Sequence, residues 1–446
     1  RCAAMASTLQ DENESLKRRI AELEAQLEAA SAKKSMDVPT HSTSPFPDFS
    51  HAEEAPLSKA EVERYGRQLI MKEIGAKGQR KLVASSVLLV GAGGLAASAA
   101  MYLAGAGVGT IGIVDFDDIE ISNLQRQIIH KQAYAGCSKA VSAVKAIKEF
   151  NSEVKTFAYR CQFTSSNAME IVKPYDLVLD CTDNVTSRYL INDACVLAGK
   201  PLVSGSALRM EGQVTVYHLT PEAPCYRCMF KEPPPKAAQG SCSNEGVLGV
   251  VPGIIGCLQA LEAIKILAGT GEPLSSRMIM FDAMSSTFRT FKLRSRDKNC
   301  AVCGDSPTIK ELIDYERFCN ASANDKPVPL SLLTDDQHIP IKKYAEEVHG
   351  KQKHILLDVR PALQYDICAV SDSINIPLSD LDARLDELKA LVGDKEPLPV
   401  YTICRRGNDS QRAVIKLETL GIGDVKNVIG GVAAWATQVD PEFPVY

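Results

Sequence analysis

SVLLVGAGGLAASAAMYLAGAGVGTIGIVDFDDIEISNLQRQ, residues 86 to 127, carries the strongest pattern in the chain. An apolar run of strand length enters Gly91, Gly93 and Gly94, an alanine-rich stretch of helix length follows, and a second apolar run ends in Asp115. Strand, glycine turn, helix, strand and acidic residue make a βαβ unit in which the backbone approaches phosphates at a helix N-terminus and a carboxylate holds a ribose hydroxyl. Ala96 stands where a third glycine often stands, a replacement the fingerprint tolerates. The unit specifies a nucleotide but not which one.

Working outward, alternating apolar strands and helical patterns run from Leu57 to about residue 304, which predicts a doubly wound, Rossmann-like α/β domain over 57–304. Strands are expected at Ser86 to Val90, Thr110 to Asp115, Leu177 to Asp180, Leu202 to Ser204 and Gln213 to His218. Arg1 to Ala4 precede Met5 and are left out of the fold reading. Leu9, Asn13, Leu16, Ile20, Leu23, Leu27 and Ala30 follow a heptad seam, so 5–32 is expected to form a helix or short coiled coil, and 33–56 has the composition of a linker. A second linker is expected over 305–338, and 339–446 reads as a smaller α/β domain with strands in HILLDVR, SINIPL, PVYTIC and VKNVIGG.

A chain of 446 residues with 45% apolar and 24% charged side chains holds two or three ordinary globular domains. Its net charge of −5 offers no basic excess, so direct nucleic-acid binding is not expected. Apolar stretches such as Ala96 to Val108 are glycine-interrupted and too short to span a bilayer, and no signal-peptide pattern opens the chain, so a cytosolic location without membrane association is expected. Fourteen cysteines in a reducing compartment point to metal binding or thiol chemistry. Cys225 and Cys228 in CYRC, with Cys300 and Cys303 in CAVC, have the spacing of a closed four-thiolate zinc site that ties two remote segments together. A redox disulfide is the rival reading, disfavoured because neither pair is expected at a helix-opening turn.

The segments RYGRQ (Arg64 to Gln68), GAGGL, VDFDDIEISNLQRQ, LDCTDNVTSRYLIND and RMEGQ, together with the two CxxC pairs, resemble the ThiF/MoeB family of ubiquitin-like-protein activating enzymes. That resemblance implies adenylation of the C-terminal glycine of a small ubiquitin-fold partner, with ATP and Mg2+. It implies that Gly91, Gly93 and Gly94 hold phosphates and that Asp115 holds the ribose. Ser122, Asn123, Leu124, Gln125 and Arg126 would line the nucleotide, Lys139 would reach the phosphates, and Asp183 would bind magnesium beside Asn184. Arg67 would enter the partner subunit's site in a twofold homodimer. The chemistry is consistent, because carboxylate attack on an α-phosphate needs positive charge and alignment more than a general base. Each residue also has a plainer reading: Asp183 could cap the following helix, and the cations could be solvated surface charges.

CRRGNDSQRA, Cys404 to Ala413, places a cysteine after a strand and before a loop closed by a helix near Ser410, so that five or six backbone N–H groups can surround its sulfur. With LLDVRPALQYD, NIPL and IGGVAAW it resembles a rhodanese domain. A phosphatase uses a similar cradle, but Asp409 puts into the loop a negative charge that would repel phosphate. Cys242, in PPPKAAQGSCSNEGVLG, lies on an expected crossing loop, where the resemblance implies an acyl linkage to the activated partner. Cys137, Cys161, Cys181, Cys195, Cys257, Cys319 and Cys368 read as ordinary thiols.

Joined in one chain, the two resemblances imply acyl-adenylate formation followed by persulfide transfer to give a thiocarboxylate. They imply a ubiquitin-related modifier or the small subunit of molybdopterin synthase as partner, for tRNA wobble-uridine 2-thiolation and molybdenum cofactor assembly. A cysteine desulfurase or another sulfur donor is expected to load Cys404. An NAD-dependent oxidoreductase with an appended domain and a zinc-stabilised, non-enzymatic adaptor are the alternatives.

Overall fold

The computed structural model describes residues 19, 55–235, 245–323, 330–393 and 395–446. The expected helix over 5–32, apart from a helical Arg19, the 33–56 linker up to residue 54, and Cys242 lie outside them. The chain divides into two compact units between Asp325 and Lys326.

In the first unit β1 (Ser86–Val90), β2 (Thr110–Val114) and β4 (Leu177–Asp180) are buried at every residue, as parallel strands covered on both faces must be. With β3 (Lys155–Tyr159), β5 (Leu202–Leu208), β6 (Glu211–Tyr217), β7 (Arg277–Asp282) and β8 (Thr287–Lys292) they form an eight-stranded sheet in the order β3-β2-β1-β4-β5-β6-β7-β8. The strands from β3 to β5 are parallel and the β5 to β8 side is antiparallel. The chain leaves β1 for β2 and β3 on one side and returns to β4 on the other, so the crevice beyond the ends of β1 and β4 is a topological switch point. The strands expected from apolar runs are all present. β3, β7 and β8 carry mixed patterns with exposed positions and gave no such signal.

The helix Val250–Ala268 is apolar and 19 residues long, enough by length and composition to cross a membrane, so the expectation that no apolar stretch reaches that length needs correcting. In the fold it covers the sheet. Gly256 permits its close approach to the helix Gly94–Ala106, since a Cβ there would lie 2.1 Å from the Leu95 carbonyl, and Ser98 Oγ donates to the Gly253 carbonyl at 2.8 Å. Its buried polar residues are satisfied: Gln259 Nε2 donates to the Asp180 carbonyl at 2.7 Å, and Glu262 accepts from the Leu274 N–H at 2.7 Å.

The stretch expected as a linker over 305–338 is instead divided. The helix Tyr315–Cys319 packs into the first unit, with Tyr315 Oη donating to Asp193 at 2.8 Å and Thr186 Oγ1 to the Ala321 carbonyl at 3.1 Å. Buried Tyr315 and Cys319, with Leu312, Ile313 and Phe318 packed beside them, hold this segment against the first unit's core.

The second unit is a five-stranded parallel sheet, β11-β10-β12-β13-β9, built from β9 (His338–Ile339), β10 (Ile355–Asp358), β11 (Ser373–Asn375), β12 (Val400–Ile403) and β13 (Val425–Val428). Four strands were expected; β9 has two residues and is too short to show periodicity. One core lies around Leu388, Val414 and Leu417, and another around Tyr344, Val432 and Trp435.

Candidate functional site

Gly91 has φ +97°, and a Cβ there would stand 2.7 Å from the Cys181 carbonyl, so the turn requires glycine and places the LDCTDN segment against it. Gly93 caps the helix Gly94–Ala106 with no side-chain partner, which leaves its first N–H groups to a ligand. Asp115, just past β2, accepts from the Ala92 N–H through Oδ2 and from the Asp117 N–H through Oδ1, each at 2.8 Å. Burial pushes the Asp115 carboxyl above its ordinary range, opposed by the charge of Lys139 and by these N–H groups. Lys139 opens the helix Lys139–Phe150, and its Nζ pairs with Asp117 at 2.9 Å.

Residues 122–127 lie along the same turn. The Arg126 carbonyl is 3.4 Å from where a Gly94 Cβ would be, and the Gln127 amide nitrogen is 3.7 Å from that of Gly93. Arg126 Nη1 bonds only weakly to the Ser122 carbonyl at 3.5 Å. The Oδ1 of Asn123 and the Oε1 of Gln127 are buried without a hydrogen-bond partner, which is the condition of groups awaiting a ligand. Gln125 is exposed, with its own oxygens against Gly249, and Leu124 is half-buried. Gln127 was missed in the sequence. Its signal was position alone, one residue beyond Arg126.

At the end of β4, Asp180 is buried and accepts from the Thr182 N–H at 3.0 Å, Thr182 Oγ1 at 2.7 Å and Ser204 Oγ at 3.0 Å, with Arg188 Nε 3.6 Å away. It organises this corner and was also missed; an acid closing an apolar strand was the available signal. The helix Val185–Ala198 is capped by Asn184, whose side chain accepts from the Ser187 N–H at 2.8 Å. The cap considered for Asp183 therefore belongs to its neighbour, and Asp183 stays exposed at the switch point. Arg67 does not join this group within one chain. Gln68, beside it, donates to the Ala106 carbonyl at 3.2 Å, at the end of the helix Gly94–Ala106 roughly 18 Å from the glycine turn.

The four thiols expected to share a metal do converge. Cys225 Sγ lies 3.8 Å from Cys228 and 3.6 Å from Cys300, Cys228 lies 3.4 Å from Cys303, and all four sulfurs are within 4.8 Å of one another. A tetrahedral site with metal–sulfur bonds of ~2.3 Å sets its sulfurs ~3.8 Å apart, so the geometry fits a metal ion. Cys225 does stand directly before a one-turn helix, Tyr226–Met229, contrary to the expectation for this pair, but the convergence of all four sulfurs outweighs a CxxC redox pair. Between the two cysteines of that knuckle, buried Arg227 forms a forked ion pair with buried Asp193 at 2.8 to 3.0 Å, fixing the knuckle to the helix that follows Asp183.

In the second unit Cys404 follows β12 and is 2% exposed. Its Sγ accepts from the Gly407 N–H at 3.1 Å and lies 3.2 Å from Ser410 Oγ, in a loop closed by the helix Asp409–Thr419. Asp409 points outward to pair with Arg412 at 2.9 Å, so its charge is met outside the loop and argues little against a phosphate. Arg360, missed in the sequence, is buried just past the end of β10 and bound to Asp358 through the Nε–Nη2 edge of its guanidinium. Arg405 lies over the Tyr446 ring at 4.6 Å.

Comparison with known proteins accounts for both units. Residues 65–302 match the ThiF family and residues 341–438 the rhodanese-like domain. The adenylyltransferase and sulfurtransferase MOCS3 of Aedes aegypti is 47% identical over 399 residues, spanning 87% of this chain and 90% of that protein. The corresponding MOCS3-1 of Zea mays is 50% identical over 391 residues, spanning 86% of this chain and 83% of that protein. A solved structure of E. coli MccB is similar at a TM-score of 0.49 and 21% identity, covering 58% of this chain and 74% of that one. The chain belongs to the ThiF family and carries a rhodanese-like domain after its ThiF region.

Proposed function

We propose that this chain is an adenylyltransferase and sulfurtransferase that activates the C-terminal glycine of a ubiquitin-fold sulfur carrier and converts it to a thiocarboxylate. The observation that carries this reading is the meeting, at one switch point, of the glycine turn, Asp115, residues 122–127, Lys139 and Asp183, in a chain that also holds Cys404 in a loop where the Gly407 N–H donates to its sulfur. Membership of the ThiF family displaces the nicotinamide-dependent and adaptor readings.

The partner's terminal carboxylate attacks the α-phosphorus of ATP and pyrophosphate leaves. The turn's N–H groups, Lys139 and Arg126 offset charge on the phosphates, while Asp115 fixes the ribose and so the line of attack. Asp183, exposed and not engaged in capping, beside Asn184, would hold Mg2+, which supplies further charge neutralisation when bound. The terminal sulfur of a Cys404 persulfide then attacks the acyl carbonyl and AMP leaves. A thiol cleaves the resulting acyl disulfide at the Cys404 sulfur, releasing the thiocarboxylate and leaving a disulfide for an external thiol to reduce. Cys242 takes part as the acyl-bearing or cleaving thiol. Zn2+ at Cys225, Cys228, Cys300 and Cys303 is structural, because four protein thiolates leave no position open for substrate.

The carrier is the ubiquitin-related modifier of tRNA wobble-uridine 2-thiolation, the small subunit of molybdopterin synthase, or both, and a sulfur donor such as a cysteine desulfurase loads Cys404 in the cytosol. Arg67, remote from the turn of its own chain, serves the partner subunit's site in a homodimer. Incubating the full chain with carrier, ATP, Mg2+ and thiosulfate should exchange one carrier oxygen for sulfur, read by mass spectrometry. Undiminished exchange in Cys404→Ala would overturn the sulfur-transfer assignment.

A further inference from the structure

Ala92, inside the glycine turn, has its peptide groups held on both sides. Its N–H donates to Asp115 Oδ2 at 2.8 Å, and its carbonyl lies 3.0 Å from Nε2 of His130. A carbonyl only accepts, so Nε2 must carry the ring proton; Nδ1 is then bare and accepts from the Ser142 hydroxyl, 3.1 Å away. His130 is 7% exposed and Ser142 1%, so these bonds are shielded from water. Burial, helped by the nearby charge of Lys139, pushes the imidazole down to about 4, which keeps the ring neutral at physiological pH.

Ser142 stands one turn into the helix that Lys139 opens. Lys139 Nζ pairs with Asp117, and the Asp117 N–H donates to the oxygen of Asp115 that Ala92 does not use. The contacts therefore close a ring: turn, His130, Ser142, helix, Lys139, Asp117, Asp115 and turn. Asp115 and Lys139 belong to the nucleotide site already described, whereas the His130 imidazole bonds to the turn's carbonyl and to a buried hydroxyl.

We propose that His130 is a positioning residue for nucleoside triphosphate, fixing the glycine turn relative to Lys139 so that the turn's N–H groups and the ammonium reach the same phosphates. It contacts no phosphate itself. The inference rests on the adenylation reading of this site.

The test compares wild type, His130→Leu, His130→Gln and Ser142→Ala in carrier-dependent exchange of pyrophosphate into ATP, using the full chain. Leucine fills the space without a donor, whereas the glutamine amide can again donate to the Ala92 carbonyl. The KM for ATP should rise about tenfold in His130→Leu and stay within about threefold of wild type in His130→Gln, with the KM for carrier unchanged. A mere packing role would lower stability in both variants and leave the KM for ATP alone; equal values of that KM in the two would overturn the proposal. If His130→Leu does not fold, Ser142→Ala carries the test, and an unchanged KM for ATP there overturns it. Should wild type exchange no pyrophosphate, the adenylation reading fails, and the ATP-induced thermal shift of the same four proteins still distinguishes a positioned turn from an indifferent one.

Discussion

Around the glycine turn, the groups that meet come from several segments between Gly91 and Arg188, brought together by a parallel sheet and the loops at its ends. At Cys404, by contrast, the sulfur, the Gly407 N–H and Ser410 all come from one loop. The first site is open, with Asp183 exposed at its rim, and the second leaves its cysteine only 2% exposed. A triphosphate spreads charge over many oxygens, so its site needs donors and counter-charges from several directions, held in register by rigid elements. A sulfur anion presents one atom, which the N–H groups of a single turn can surround.

If the first unit's site depends on long-range convergence, removing what ties remote segments together should damage it most. Cys300→Ser, or stripping the metal with a strong chelator, should cost the first unit about 5 kcal/mol or more while leaving the Lys326–Tyr446 unit unchanged. Two-transition denaturation monitored unit by unit checks this; an unmoved first transition would remove the structural role of the four cysteines.

Acid should act on the same side of the comparison. The folded His130 imidazole titrates at about 4, below its unfolded value near 6.5, so the unfolded chain binds more protons between those limits. Its contribution is fully present above about pH 6.5 and is lost as pH falls toward 4, by up to about 3 kcal/mol. Urea midpoints of wild type against His130→Gln across this window should diverge on the alkaline side, and parallel curves would deny the shift.

Asp183→Ala should reduce pyrophosphate exchange by at least about a hundredfold, or about 2.7 kcal/mol of transition-state stabilisation, with sulfur loading of Cys404 from thiosulfate intact. Equal loss of both activities would mean unfolding rather than a lost ligand. The smallest effect is expected in the compact loop. Ser410→Ala removes one polar neighbour of the Cys404 sulfur and should slow its loading about fivefold, about 1 kcal/mol, leaving exchange untouched. A loss as large as that of Asp183→Ala would show that the loop is as finely assembled as the nucleotide site.

Legibility in sequence follows the same division. The glycine turn, Asp115, both CxxC knuckles and the Cys404 loop were readable because each is a local pattern whose spacing follows from backbone geometry. Asp180, Gln127, His130 and Arg360 were not, because nothing in their neighbours along the chain announces the partners that make them matter. Asp180 gains meaning from Ser204 and Arg188, and His130 from Ala92 and Ser142. The stretch after Gly304 was hard to read for a related reason: Leu312, Ile313, Tyr315, Phe318 and Cys319 are interspersed with charged residues, and only docking makes Tyr315 and Cys319 core.

By itself the sequence determined the two α/β units, the glycine turn and the paired cysteines, since strand periodicity, glycine dihedrals and cysteine spacing are properties of a few adjacent residues. Only the tertiary structure decided that Asn184 rather than Asp183 caps the helix, that Arg67 lies far from its own glycine turn, and that His130 bridges that turn to the Lys139 helix. These outcomes depend on which buried donor meets which acceptor across the sheet, and a desolvated polar group binds whatever partner the fold brings within reach.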